Sequence, residues 1–209
     1  MSRASIIYFE FNRTLQVLNI MLSDDVQMQS SKISAKQKYG EIEENPIGLP
    51  QKYCKTIVNQ LNEDIASSYI LFLQLRKQHA IIKGPDWKHI HDTLGEYATY
   101  IGKQAEELSE RLTVLGGLPI SDPSRFKDLA YIDFEGNDML ELRRMLENDL
   151  HSVQKVIDAF RGRIKNASEN NDYGTEHMLK GTIFEYEEMA DRLEHYLAME
   201  SLERNLTTR

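Results

Sequence analysis

The feature that most restricts the fold is a helical spacing of apolar residues that recurs in four long segments. In each segment apolar side chains return every three or four residues, as they do along one face of an α-helix. The predicted helices cover residues 52–80, 87–115, 138–167 and 175–202. No strand-like alternation of apolar and polar residues competes with this pattern. The sequence therefore predicts an all-α protein built from a four-helix bundle.

The connections between these helices predict the topology of the bundle. Short links at residues 84–86 and 168–174 make the first and last helix pairs antiparallel neighbours. The middle connection, residues 116–137, is long and contains a predicted short helix at 123–131. Fully extended it could span about 70 Å, whereas a predicted helix is about 42 Å long. It can cross the whole bundle, and one long crossover is typical of the ferritin-like arrangement.

The helical pattern also divides the chain into segments. Residues 1–50 are predicted to form a flexible N-terminal tail, because residues 23–44 are polar and lack a steady period. The bundle is expected to cover residues 51–202. Residues 203–209 are predicted to form a short C-terminal tail.

Charge and cysteine content exclude several functional classes. The net charge is −8, and no strongly basic stretch is present, so we expect no nucleic-acid binding. The lone Cys54 rules out an intrachain disulfide and a Cys-rich zinc site, and we interpret it as a packing residue. It is compatible with the reducing cytoplasm, which is the expected location.

The sequence does not predict a membrane span or a secretory signal. It contains no run of about 18 apolar residues, which a membrane span would require. Residues 4–22 lack the layout of a secretory signal.

Two histidines and two glutamates are the candidate chemical groups. His79 and His91 bracket the first turn, while Glu106 and Glu110 lie four residues apart on one face of the second helix. His91 and Glu106 are separated by 15 residues, or about 22 Å along a helix, so one ion cannot contact both within a chain. Antiparallel pairing of two second helices would bring the histidines of one chain to the glutamates of the other. Imidazole with carboxylate suits Fe(II), Mn(II) or Zn(II), although spacing alone also fits solvated glutamates and turn histidines.

The order of residues around these four positions resembles the signature of the Dps family, the miniferritins of the ferritin-like superfamily. The similarity extends more weakly from about residue 52 to 200. The matching residues are Arg76-Lys77-Gln78-His79, Lys83-Gly84, Trp87, His91, Glu106, Glu110-Arg111 and Leu115-Gly116-Gly117-Leu118-Pro119. In that family, two histidines of one chain and an acidic pair of its two-fold neighbour form a ferroxidase site.

The resemblance implies a function and an assembly. His79, His91, Glu106 and Glu110 would bind and oxidise Fe(II), with peroxide or, more slowly, dioxygen as the oxidant. The chain would form a hollow dodecamer that stores ferric oxide and protects against oxidative damage. Iron is the expected metal, and zinc is a second candidate for the same site.

Two acidic residues at the start of the fourth helix have two interpretations. Asp172 and Glu176 suit a helix N-terminus, where carboxylates cap free amide groups and answer the helix dipole. The resemblance implies instead that they line a three-fold pore that admits Fe(II). Both interpretations stay open at this point.

Three positions depart from the family pattern. Ala80 stands where tryptophan is usual, Gly95 where an acidic residue is common, and Glu106 where aspartate is usual. These departures predict an atypical centre. Gly95 also leaves room for a ligand from elsewhere.

Three alternative functions remain open from the sequence. A ferritin or bacterioferritin with an intrachain di-iron site needs Glu-x-x-His motifs, but Glu147 and His151 are four residues apart. A non-catalytic Dps-like shell or DNA-compacting protein would have a degenerate metal site. An unrelated helical interaction module would make the spacings a coincidence. Trp87 is predicted to be mainly core, although the resemblance implies an aromatic residue near the site at this position. His89 is two residues before His91 and therefore points to another side of the helix. The remaining histidines are interpreted as surface or packing residues: His151, His177 and His195.

Overall fold

Four long helices form the framework of the protein. The structure, a computed structural model, describes residues 35–198. Within this range no strand is present, and the predicted all-α four-helix architecture is confirmed. The elements are α1 (Gln51–Ile81), α2 (Trp87–Val114), a 3₁₀ turn (Pro123–Arg125) that continues into α3 (Phe126–Leu129), α4 (Leu142–Glu169) and α5 (Tyr173–Leu197).

The apolar stripes of the sequence become a single core. Helix α1 packs along α2, α4 packs along α5, and α1 also contacts α4. Full burial of a side chain such as leucine stabilises the fold by about 1.5–3 kcal/mol. The largest fully buried side chains include Ile57, Leu61, Leu75, Leu94, Ile101, Leu108, Phe160 and Tyr186.

The crossover between α2 and α4 is fixed to the bundle by Lys77. Its Nζ donates to the backbone carbonyls of Gly136 and Asp138, at 2.7 and 2.9 Å, and pairs with the Glu135 carboxylate at 2.7 Å. These contacts keep the chain in an irregular path up to Leu142. Helix α4 therefore begins four residues later than predicted. The predicted end of the last helix, at residue 202, lies outside the described residues.

Part of the predicted N-terminal tail belongs to the bundle. The compact unit that contains the helices begins at Lys38. The backbone N–H of Glu43 donates to the carbonyl of Gly116 at 2.9 Å, and a Cβ at position 116 would clash with the Glu43 carbonyl oxygen. The Asn45 side chain closes a loop with the backbone of Leu49. The chain thus contacts the bundle before the predicted boundary at residue 50, while residues 1–34 and 199–209 lie outside the described part.

None of the helices in the described range combines the length and apolar character that a membrane span requires.

Candidate metal site at the turn between α1 and α2

His79 and His91 form a stacked pair where α1 ends and α2 begins. Their ring centroids are 3.8 Å apart, and the ring planes differ by 21°. Nδ1 of His79 lies 2.7 Å from the His91 carbonyl oxygen, and Nδ1 of His91 lies 2.8 Å from the His79 carbonyl oxygen. A carbonyl oxygen can only accept, so each Nδ1 carries the hydrogen. In the neutral rings both Nε2 atoms keep the lone pair that a metal ion needs.

Gly95 makes room for this arrangement. A Cβ at position 95 would lie 3.0 Å from both Cε1 and Nδ1 of His79. The space that the sequence suggested for a ligand from elsewhere is therefore filled by the His79 imidazole. The glycine contributes by letting that ring approach helix α2.

Trp87 lies beside the histidine pair rather than in the core. Its ring centroid is 5.1 Å from that of His91, and 42% of the residue is exposed. The prediction from helical period was wrong here, because Trp87 opens α2 at the end of the bundle, where it stays partly uncovered. The aromatic ring therefore forms one exposed wall of the candidate site.

The two glutamates lie further along α2. Glu106 and Glu110 are exposed, and their side chains have no hydrogen bond or ion pair with residues 35–198. Because α2 is continuous from Trp87 to Val114, the 15 residues from His91 to Glu106 place them about 22 Å apart. No group of three His, Cys, Asp or Glu side chains within the described range could hold a metal ion. Within one chain, the two histidines and the two glutamates thus lie in two separate pairs.

The structure favours a capping role for Asp172. Its buried carboxylate accepts hydrogen bonds from Arg111 at 2.5 Å, Tyr53 at 2.9 Å, and the Thr175 amide and hydroxyl at 3.0 and 2.6 Å. Burial by itself raises the pKa of Asp172, but the bonds from Thr175, Tyr53 and Arg111 outweigh it and lower the pKa. Both oxygens are occupied inside the subunit, which speaks against a pore-lining role.

Glu176, the second candidate pore residue, is partly buried. It pairs with Lys180 at 2.6 Å. Its role in a pore stays a prediction.

The remaining histidines do not join the stacked pair. Nε2 of His89 and the Tyr196 hydroxyl form a 2.7 Å hydrogen bond. His195 lies on α5 beside Asp191. His151 and His177 are exposed. The exposed positions of His151, His177 and His195 agree with the surface roles expected from the sequence.

Sequence reasoning missed the reciprocal contacts that orient the two imidazoles. They join the side chain of each histidine to the backbone carbonyl of the other, which is 12 residues away across the turn. Every residue has a backbone carbonyl, so the sequence does not indicate which carbonyls form such contacts. The close approach of His79 to Gly95 was missed for a similar reason. Only the absence of a side chain at position 95 hinted at it.

The chain matches known proteins over most of its length. The family model described as a ferritin-like domain matches residues 58–202. A DNA protection during starvation protein of Halobacterium salinarum is 33% identical, over 83% of this chain and 96% of that protein. A nutrient stress-induced DNA-binding protein of Nostoc sp. is 30% identical, over 79% of this chain and 90% of that protein.

Solved structures show the same fold. The crystal structure of an archaeal Dps homologue from Halobacterium salinarum has a TM-score of 0.79 and 32% sequence identity, covering 84% of this chain and 98% of that one. The Vibrio cholerae Dps protein, described as a ferritin-like diiron-carboxylate protein, has a TM-score of 0.71, covering 79% and 100% of the two chains. At 23% identity, that second likeness concerns the fold alone. With its ferritin-like crossover and these relatives, the chain belongs to the Dps family of miniferritins.

Proposed function

We propose that this chain oxidises Fe(II), its substrate, at a site shared by two copies and stores the ferric product in a hollow shell. The observation that carries the proposal is the division of ligands along α2. The two oriented imidazoles lie at the turn where α2 begins. The two carboxylates, which are unpaired among residues 35–198, lie about 22 Å away. An antiparallel two-fold pairing of α2 helices would complete two sites at once, since such an interface repeats every contact.

Each residue has a distinct role in this proposal. His79 and His91 supply neutral nitrogen ligands, held by the carbonyl contacts. Glu106 and Glu110 of the neighbouring chain supply anionic oxygens, which suit Fe(II). Two Fe(II) ions each lose one electron to one hydrogen peroxide molecule, whose O–O bond breaks. With two water molecules, the products are two FeO(OH) and four protons. Pairwise use of peroxide avoids the one-electron reaction that forms hydroxyl radicals.

Exposed apolar side chains support association of the chain with copies of itself. Leu73 on α1 is 50% exposed, and Phe134 in the crossover is 38% exposed. Together with Ile70 and Ile132 they line one apolar groove. Contiguous apolar surface of this kind marks protein contacts. A dodecamer, a cytoplasmic location and occasional zinc at the same site complete the proposal.

A non-catalytic shell is the second candidate function. The observation that favours it is Gly95, which offers no carboxylate where the family commonly has one. Relatives are named for DNA protection or DNA binding, but the net charge of −8 argues against DNA compaction by this chain. Both candidates share the fold, so iron oxidation itself must separate them.

The test is peroxide-driven iron oxidation by the assembled protein. Fe(II) is added anaerobically, then peroxide, and ferric absorbance is followed. We expect His91→Ala and Glu110→Ala each to abolish fast oxidation. Glu107→Ala is the matched control, because Glu107 is exposed on the same helix and pairs with Lys103. Wild-type rates in both site variants, or a monomeric protein that leaves the rate at its buffer value, would contradict the proposal.

A further inference from the structure

A buried carboxylate lies between α1 and α4, close to the end of α1 that carries His79. Asp149 of α4 is 0% exposed. Its Oδ1 accepts hydrogen bonds from Nε2 of Gln74 at 2.8 Å and from Nε2 of Gln78 at 2.9 Å. The two glutamines are four residues apart, so both amides reach Asp149 from one face of α1. This contact joins the interior of the bundle to the last turns of α1.

Two oxygen atoms of this cluster are buried and accept no hydrogen bond from residues 35–198. They are Oδ2 of Asp149 and Oε1 of Gln78. Oδ2 belongs to the same carboxylate as the acceptor atom Oδ1 of Asp149. Oε1 belongs to the same amide as the donor atom Nε2 of Gln78. With Asp149 ionised, both oxygens are acceptors without a donor, which is costly in a buried site. A proton on Oδ2 would let Asp149 donate to Gln78 Oε1 and close a cyclic acid–amide pair.

Within the described part of the chain, Asp149 has no direct counter-ion. The charged groups that act on it are Glu135 and Lys77. The Lys77 ammonium is committed to Glu135 and to the carbonyls of the crossover. Burial raises the pKa of Asp149 to about 7, against the opposing effect of the hydrogen bonds from Gln74 and Gln78. The buried Asp64, by contrast, has the Arg163 guanidinium at 3.4 Å.

We propose that Asp149 and Gln78 form a proton switch that supports the His79 end of α1. Protonated Asp149 pairs with the Gln78 amide through two hydrogen bonds, and loss of the proton breaks one of them and loosens the last turn. The Gln78 carbonyl accepts the final helical bond from Ile82 at 3.0 Å. The next residue, His79, contributes both its ring and its carbonyl to the pair with His91.

The switch would make the histidine pair less ordered as pH rises through neutrality. This regulatory consequence rests on the proposed iron function. The proton switch itself does not, because its hydrogen bonds join Asp149 to Gln74 and Gln78 and include no proposed iron ligand. The two parts can therefore be tested separately.

The first experiment uses metal-free wild type and Asp149→Asn. The asparagine amide copies the protonated acid, because its Nδ2 can donate permanently to Gln78 Oε1. At about pH 8 we expect backbone amides at the end of α1 to exchange hydrogen about tenfold faster in wild type than in the variant. At about pH 5.5 the two proteins should exchange equally. Asp158→Asn is the control, since Asp158 lies on α4 with its side chain 78% exposed.

Carboxyl carbon NMR gives the second readout. The Asp149 resonance should titrate near neutral pH, well above the ordinary aspartate pKa of about 3.9. Titration in the ordinary range, or equal exchange in both proteins at the higher pH, would overturn the switch. Exchange that slows with added sodium or potassium would assign the oxygens to a cation instead. Identical pH profiles of Fe(II) oxidation in wild type and Asp149→Asn would overturn only the regulatory consequence.

Discussion

Replacing Gly95 by alanine should weaken metal binding while changing the stability of the fold very little. The new methyl group would lie 3.0 Å from two atoms of the His79 ring. Ordinary contacts need several tenths of an ångström more, so the imidazole must move. We expect the ring to rotate away from α2, which would break the 2.7 Å contact between His79 Nδ1 and the His91 carbonyl. The ring can turn away at low cost, because it is the end of a flexible side chain.

The two energetic effects of Gly95→Ala oppose each other in the metal-free protein. Alanine in a helix interior is favoured over glycine by about 1 kcal/mol. The lost hydrogen bond costs about 0.5–1.5 kcal/mol. The free energy of unfolding should therefore change by less than about 1 kcal/mol. Metal affinity, however, should fall by about 10–100-fold, which is the usual effect of removing a contact that orients a histidine ligand.

Anaerobic Fe(II) calorimetry and urea unfolding of the metal-free protein measure the two effects. Gly181→Ala is the matched control, since a Cβ there meets no atom within 4 Å and position 181 is also inside a helix. The control should gain about 1 kcal/mol of stability and bind iron as wild type does. Wild-type iron affinity in Gly95→Ala would refute the reasoning.

Three further predictions concern buried charges and the thiol. Arg111→Ala leaves the Asp172 carboxylate without its cation and should lower the free energy of unfolding in urea by about 3 kcal/mol. The exposed Arg161→Ala should lower it by under about 1 kcal/mol. Equal losses would contradict a stabilising ion pair between Arg111 and Asp172. Burial raises the pKa of Asp64 to about 7 despite the nearby Arg163. Asp64 should therefore stabilise the fold fully below its unfolded pKa of about 3.9, and this stabilisation should be lost as pH rises through 7. A free energy of unfolding that rises between these two pH values would contradict this prediction. Burial raises the pKa of the fully buried Cys54 thiol, so a thiol reagent should react only after unfolding, and prompt reaction with the native protein would disprove this.

Local signals made the first two helices predictable almost to the residue. Pro50 directly precedes the start of α1, and Gly116 lies two residues after the end of α2. Proline and glycine at such positions mark helix ends within one or two residues. The start of α4 was mispredicted because Lys77, some 60 residues earlier, holds the crossover in an irregular path. Such a tertiary contact overrides a local helical pattern. The order of helices followed from loop length, which is also local information.

The sequence predicted the residues of the candidate site but not the contacts that orient them. Spacing identified His79 and His91, yet their mutual orientation depends on backbone carbonyls and on the missing side chain at Gly95. Asp149 did leave a signal. It lies three residues after Leu146 and four before Val153, on the apolar stripe of α4. A charged residue at such a position indicates a buried polar contact, but its partners Gln74 and Gln78 come from another helix.

The division of the site between two chains is tested most directly by mixing two inactive variants. His91→Ala keeps its glutamates, and Glu110→Ala keeps its histidines. In a two-fold pair of one chain of each kind, one of the two sites is complete. Random co-assembly in equal amounts should then restore about one quarter of the wild-type sites. We predict peroxide-driven Fe(II) oxidation at about that fraction of the wild-type rate. No recovery, in a mixture shown to contain both chains in each assembly, would contradict a site shared between subunits.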